Sequence, residues 1–129
     1  MNLVDTSAWI EYFFGGPNAT YFSVAIEDTG HLLVPVVCLY EVFKKVNQVA
    51  DESRAFRAVA QMKQGRVVEF SEELALRAAT VSLRYGLPMA DSFIYATAQA
   101  EGAVVWTQDS DFEGLVGVHY REARTNQSI

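Results

Sequence analysis

The chain has 129 residues, half of them hydrophobic, a formal net charge of −6 and one cysteine. That length and apolar content suit one domain with its own core, while the acidic balance argues against a broadly basic nucleic-acid footprint. It does not exclude a nuclease, because clustered metal-binding carboxylates contribute to the same negative total.

Taken in order, the chain alternates strand and helix. Asn2-Leu3-Val4 reads as a strand that ends at once in Asp5-Thr6-Ser7, and a short helix over 7–14 is stopped by Gly15-Gly16-Pro17-Asn18. A second helix covers 20–28, closed by Gly30, and His31 to Val34 forms the second strand. Pro35 suits a helix entrance, where its missing N–H costs nothing. From there Leu39, Val42, Phe43 and Val46 share one stripe, with Glu41 and Lys45 on another face. Asp51-Glu52-Ser53 opens the next helix, whose apolar side is expected at Phe56, Val59, Ala60 and Met62 or Lys63.

Arg66 to Phe70 is the third strand candidate, and Ser71 caps a helix that turns Leu74, Ala78, Val81 and Tyr85 inward before Gly86-Leu87-Pro88. An alanine-rich helix over 89–101 ends at Gly102, the usual C′ glycine. Ala103 to Thr107 is the fourth strand, Gly117 to Tyr120 a weak fifth, and the polar stretch 121–129 is expected to fray. Strands separated by helices imply a mostly parallel sheet of four to five strands covered on both faces, a three-layer α/β/α fold in one domain over 1–129.

The start of the chain lacks the basic segment of a signal peptide. Its longest apolar run, 32–40, contains Pro35 and falls well short of the ~20 residues that cross a bilayer. Cys38 cannot pair internally and reads as a small buried apolar side chain. A soluble cytoplasmic protein is expected, with no membrane partner.

Four acids carry the chemistry: Asp5, Glu41, Asp91 and Asp109, with Asp111 close behind. Each has a bland explanation. Asp5 and Asp91 can serve helix starts, Glu41 can pair with Lys45 four residues on, and Asp109 and Asp111 can populate a turn. Together they read differently, because strand ends and helix starts share the carboxyl edge of a parallel sheet, where such folds bind ligands. Converging carboxylates repel, and a divalent cation relieves the repulsion. An all-oxygen set without cysteine or paired histidine suits Mg²⁺ or Mn²⁺ better than Zn²⁺. His31 and His119 read as structural.

Four pieces then stand in order: Val4-Asp5-Thr6-Ser7, Glu41 after the second strand, Ala90-Asp91-Ser92-Phe93-Ile94-Tyr95-Ala96-Thr97-Ala98, and Val105-Trp106-Thr107-Gln108-Asp109-Ser110-Asp111-Phe112. From Asn2 to about Tyr120 the chain resembles a PIN-domain endoribonuclease of the VapC type, the toxin of a toxin–antitoxin pair. The resemblance implies that Asp5, Glu41, Asp91 and Asp109 bind one or two Mg²⁺ or Mn²⁺ ions, with Asp111 as a further candidate. Thr6, Ser7 and Thr107 would orient those carboxylates. Ser92 stands where the family often has alanine, and Thr-x-Asp-x-Asp-Phe replaces the frequent Thr-x-Asn.

The implied activity is metal-dependent hydrolysis of RNA, by a protein that is commonly a homodimer and is held by a cognate antitoxin. Lys44, Lys45, Arg84, Arg121 and Arg124 are candidates for phosphate contacts. The aromatic cluster Trp9, Tyr12, Phe13, Phe14, Tyr21 and Phe22 is core in part, and its excess suits an antitoxin groove. Two other readings compete: a catalytically silent PIN-like binding module, and a receiver-type phosphoacceptor signalling domain. The receiver would want adjacent acids after the first strand and a lysine after the fifth, which this chain lacks.

Overall fold

In the computed structural model, which describes residues 1–124, five strands form one sheet in the order β3-β2-β1-β4-β5, all pairs parallel. They are β1 (Asn2–Val4), β2 (Leu32–Pro35), β3 (Arg66–Val68), β4 (Val104–Thr107) and β5 (Val118–Tyr120). Six α-helices connect them: α1 (Thr6–Phe13), α2 (Ala19–Ile26), α3 (Val36–Val49), α4 (Glu52–Met62), α5 (Glu72–Tyr85) and α6 (Met89–Glu101). The expectation that 121–129 frays concerns, beyond Arg124, residues outside those described.

The chain steps from β1 to β2 to β3 in one direction and returns past β1 to β4. Right-handed crossovers therefore put α1 to α4 on one face and α5 and α6 on the other. At the β1–β4 pair the connections depart in opposite directions, which opens a crevice at the carboxyl edge. The same order rules out the receiver alternative, whose first strand lies between the second and third.

Leu3, Val4, Leu33, Val34 and Val105 are fully buried, each contributing on the order of 1.5–3 kcal/mol relative to exposure. The central strands are thus apolar on both faces, as a doubly covered parallel sheet requires. No helix among the described residues is long and apolar enough to cross a membrane.

Local signals place most helix ends. The Asp51 side chain accepts from Arg54 N at 2.8 Å, the Ser71 hydroxyl from Leu74 N at 3.0 Å, and Gly86 and Gly102 end α5 and α6 at φ of 69° and 64°. Two faces differ from expectation. Helix α4 buries Ala55, Ala58 and Met62, while Phe56 lies outside and packs edge-on against Phe43 at 4.9 Å. Small residues are what the close approach of α4 to α3 accommodates. Tyr85 also remains partly exposed, stacked edge-on against Tyr95. Strand β3 stops at Val68, and Phe70 leaves the sheet to pack on Phe93.

Candidate metal centre

The crevice is built first from β1 and β4. Their register pairs Val4 with Trp106, and Asp5 N donates to Trp106 O, so the residues that follow the two strands meet. Asp5 is only 2% exposed. It caps α1 by accepting from Ala8 N at 3.1 Å and also accepts from the hydroxyls of Ser7 at 2.7 Å and Thr107 at 2.8 Å. Three hydrogen bonds aim a carboxylate whose burial nonetheless pushes its pKa up to about 7, with the Asp109 charge adding to the rise.

Thr107 joins this carboxylate to the next one. Its Oγ1 accepts from Asp109 N at 2.9 Å, and Asp109 Oδ1 accepts from Asp111 N at 2.9 Å, which starts a single 3-10 turn over Ser110–Phe112. Phe112 is fully buried and anchors that turn in the core. Asp91 reaches the crevice from the first turn of α6. One oxygen each from Asp91, Asp109 and Asp111 falls within 4.8 Å of the others. Asp91 is pushed up to about 8 by burial first, then by the Asp109 charge, by hydrogen bonding with Asp111, and by the charges of Asp5 and Asp111.

Glu41 stands outside the 4.8 Å group and accepts from the Thr6 hydroxyl at 2.6 Å. No ion pair to Lys45 forms among the described residues, so the surface-pair explanation of Glu41 is not the one the fold adopts. Burial holds the Cys38 thiol well above its ordinary range, and the charges of Asp5, Glu41 and Asp91 press it in the same direction. The thiol donates weakly to Val4 O at 3.9 Å, consistent with a buried structural cysteine.

Two carboxyl groups with raised pKa values, beside two more acids, form a site with excess negative charge, and none of these acids forms an ion pair among the described residues. The donors are all oxygen, and three of them lie within 4.8 Å of one another. That set fits a hard divalent cation.

A sequence profile of the PIN domain matches residues 3–117, nearly the whole described chain. The chain belongs to the PIN-domain family. Solved structures agree on the fold. This PIN domain is similar to a toxin–antitoxin complex from Klebsiella pneumoniae, with TM-score 0.77 and 24% identity over 92% of this chain and 96% of that one. It is similar also to VapC20 of Mycobacterium tuberculosis, described as a sarcin-ricin loop cleaving toxin, with TM-score 0.77 and 18% identity over 92% and 97%. The DNA-bound VapBC of Salmonella typhimurium follows with TM-score 0.70 and 17% identity over 95% and 98%. A comparison with curated proteins finds no match.

Within this PIN domain Ser92 is accommodated simply: its buried hydroxyl donates to Met89 O at 2.6 Å, inside α6. One contributor to the loop geometry had no sequence signal beyond a breaker cluster. Asn18, 2% exposed, donates through Nδ2 to Gln108 Oε1 at 3.0 Å and to Glu122 O at 2.9 Å. The Asn18 backbone N–H donates to Glu11 Oε2 at 2.6 Å. The loop after α1 is thereby tied to the segment that carries Asp109. Such a link joins residues 90 positions apart and leaves no local pattern to detect.

Proposed function

We propose that this PIN domain is a metal-dependent endoribonuclease that hydrolyses RNA phosphodiester bonds as the toxin of a toxin–antitoxin pair. The observation that carries the reading is the convergence of Asp91, Asp109 and Asp111 within 4.8 Å beside buried Asp5, at the switch point of the sheet. Asp5, Glu41, Asp91 and Asp109 would hold Mg²⁺ or Mn²⁺ directly or through water, with Asp111 as a further ligand. When bound, the ion supplies Lewis-acid polarisation of the phosphate, a water of lowered pKa and neutralisation of the leaving oxygen.

The chain's own residues do the rest. Ser7 and Thr107 fix the Asp5 carboxylate from two directions, Thr6 fixes Glu41, and the Thr107–Asp109–Asp111 hydrogen-bond relay sets the loop. Residues held this way need little rearrangement when substrate arrives, which is the electrostatic preorganisation that phosphoryl chemistry depends on.

The partner expected of such a toxin is an antitoxin, and solved relatives are toxin–antitoxin complexes. A groove of about 390 Å³ between α1, α3 and α4, lined by Phe13, Phe14, Val46, Ala50, Arg54 and Arg57 among others, suits an amphipathic segment with acidic flanks. The aromatic cluster supplies only its edge, since Trp9 and Phe22 are fully buried while Phe14 is exposed. A homodimer in the cytoplasm completes the reading, and analytical ultracentrifugation tests its stoichiometry.

The deciding experiment incubates purified protein with structured and unstructured RNA in Mn²⁺ or EDTA, beside Asp5→Asn and Asp91→Asn. Cleavage should require metal and vanish in both variants while their circular dichroism is retained. Equal cleavage by wild type and variants would identify a contaminating nuclease and remove the support for an enzyme.

A further inference from the structure

A second cleft, about 470 Å³, adjoins the carboxylates: Thr6, Ser7, Glu41 and Gln108 belong to its wall as well as to the acidic site. Its far side is the outer face of α3, where Tyr40, Lys44 and Gln48 recur every four residues, with Lys45 beside them. We infer that this cleft seats the nucleotide next to the scissile phosphate of a single-stranded RNA, with Lys44 and Lys45 on its phosphate, Tyr40 under its base and Gln108 donating to it. The inference rests on the nuclease reading and names its substrate subsite.

Charge is the first argument. In a chain of net charge −6, both lysines are exposed and neither enters an ion pair among the described residues, whereas Arg54 and Arg66 do. The acid within helical reach, Glu41, is engaged by Thr6. Two free cations at the rim of an acidic crevice complement a polyanion whose next phosphate must pass over the carboxylates.

The second argument is the aromatic face. Tyr40 is 64% exposed on a helix whose Cys38, Val42 and Val46 are buried, and Lys44 Nζ lies 5.8 Å from its ring centroid. With the ammonium over one face, the other face of this exposed ring is a platform on which an unpaired base stacks without regard to its identity. The cleft lies toward the small end of ligand sites, so it admits one splayed nucleotide and not a duplex.

Gln108 adds direction. Its Oε1 is held by Asn18 Nδ2 at 3.0 Å, which leaves Nε2 as a donor for the cleft. The nucleotide should therefore offer Gln108 an acceptor, either a phosphate oxygen or a base carbonyl.

The test uses a fluorescein-labelled twelve-nucleotide single-stranded RNA. Anisotropy measures binding in the Asp91→Asn background, and steady-state cleavage in Mn²⁺ gives KM and kcat. Paired Lys44→Ala and Lys45→Ala should weaken binding about tenfold and flatten the slope of log affinity against log salt by roughly 0.7 for the one phosphate the two lysines share. Tyr40→Ala should weaken it by at least about fivefold, with rescue by Tyr40→Trp, and these variants should raise KM more than they lower kcat.

The inference is overturned if both sets of variants leave affinity and KM within twofold of the parent while Asp91→Asn still abolishes cleavage. It is overturned equally if the same RNA as a duplex binds as tightly, or if an oligoglutamate peptide displaces the single strand with the same lysine dependence. Binding that depends on the lysines and Tyr40 without any cleavage in Mn²⁺ would uphold the subsite and defeat the nuclease reading. Absence of both binding and cleavage would defeat both.

Discussion

Replacing Asp5 by asparagine should stabilise the metal-free protein at neutral pH, and the gain should fade in acid. Burial raises the Asp5 pKa from 3.8 to about 7, so the folded state holds a proton that the unfolded state releases. The stability associated with that proton is fully present below the unfolded pKa and is lost as pH rises through the folded one. Above pH 7 the wild type carries a penalty of about 4 kcal/mol, from roughly three pKa units at 1.36 kcal/mol each. Asparagine cannot accept on both sides as the carboxylate does, so the Thr107 hydroxyl must turn, at a cost of about 1 kcal/mol.

A net gain of about 3 kcal/mol at pH 8 corresponds to a rise of roughly 10 °C in Tm for a chain of this length. At pH 4.5 the penalty falls to about 1 kcal/mol by the same linkage, and the two proteins should melt within a few degrees. Scanning calorimetry in EDTA at both values measures the difference. A variant that melts below wild type at pH 8, or a gap that does not shrink toward pH 4.5, would refute the claim that burial dominates this carboxyl group.

Three further outcomes follow from the same geometry. Mn²⁺ should raise the wild-type Tm, EDTA should reverse the rise, and Asp91→Asn should abolish it, because ligand bound only to the folded state stabilises by mass action; an equal rise in the variant would place the ion elsewhere. Thr107→Val should destabilise by about 1–3 kcal/mol and lower kcat, since it removes the donor to Asp5 and the acceptor of Asp109 N together; urea denaturation and cleavage kinetics read the two effects. Gly65→Ala should cost about 1–3 kcal/mol, because a Cβ there would lie 2.9 Å from Leu32 O and from Leu32 Cγ. A thermal melt unchanged from wild type would show that the β2–β3 edge yields freely.

What the sequence determined was local or chemical in kind. The Ser71 cap, the glycine ends of α5 and α6 and the run of α6 over Met89–Glu101 all depend on residues a few positions apart, and they stand as read. The four motif acids were singled out because strand ends and helix starts share one edge of a parallel sheet, and of these the fold brings Asp91 and Asp109 within 4.8 Å of each other, together with Asp111. The inward face of α4 was not legible, because hydrophobicity favours Phe56 whereas close packing against α3 admits Ala55 and Ala58.

Only the tertiary structure decided how the acids meet. Adjacent pairing of β1 with β4 brings Thr107 to Asp5 across 102 positions, and the turn after Asp109 brings Asp111 into the tightest group while Glu41 stands apart with Thr6. The Asn18–Gln108 bond and the lysine–tyrosine cleft belong to the same category. Residue types and short spacings fix which groups are available and how each helix begins. Distances between groups far apart in the chain are set by strand order and packing, to which no local pattern is tied.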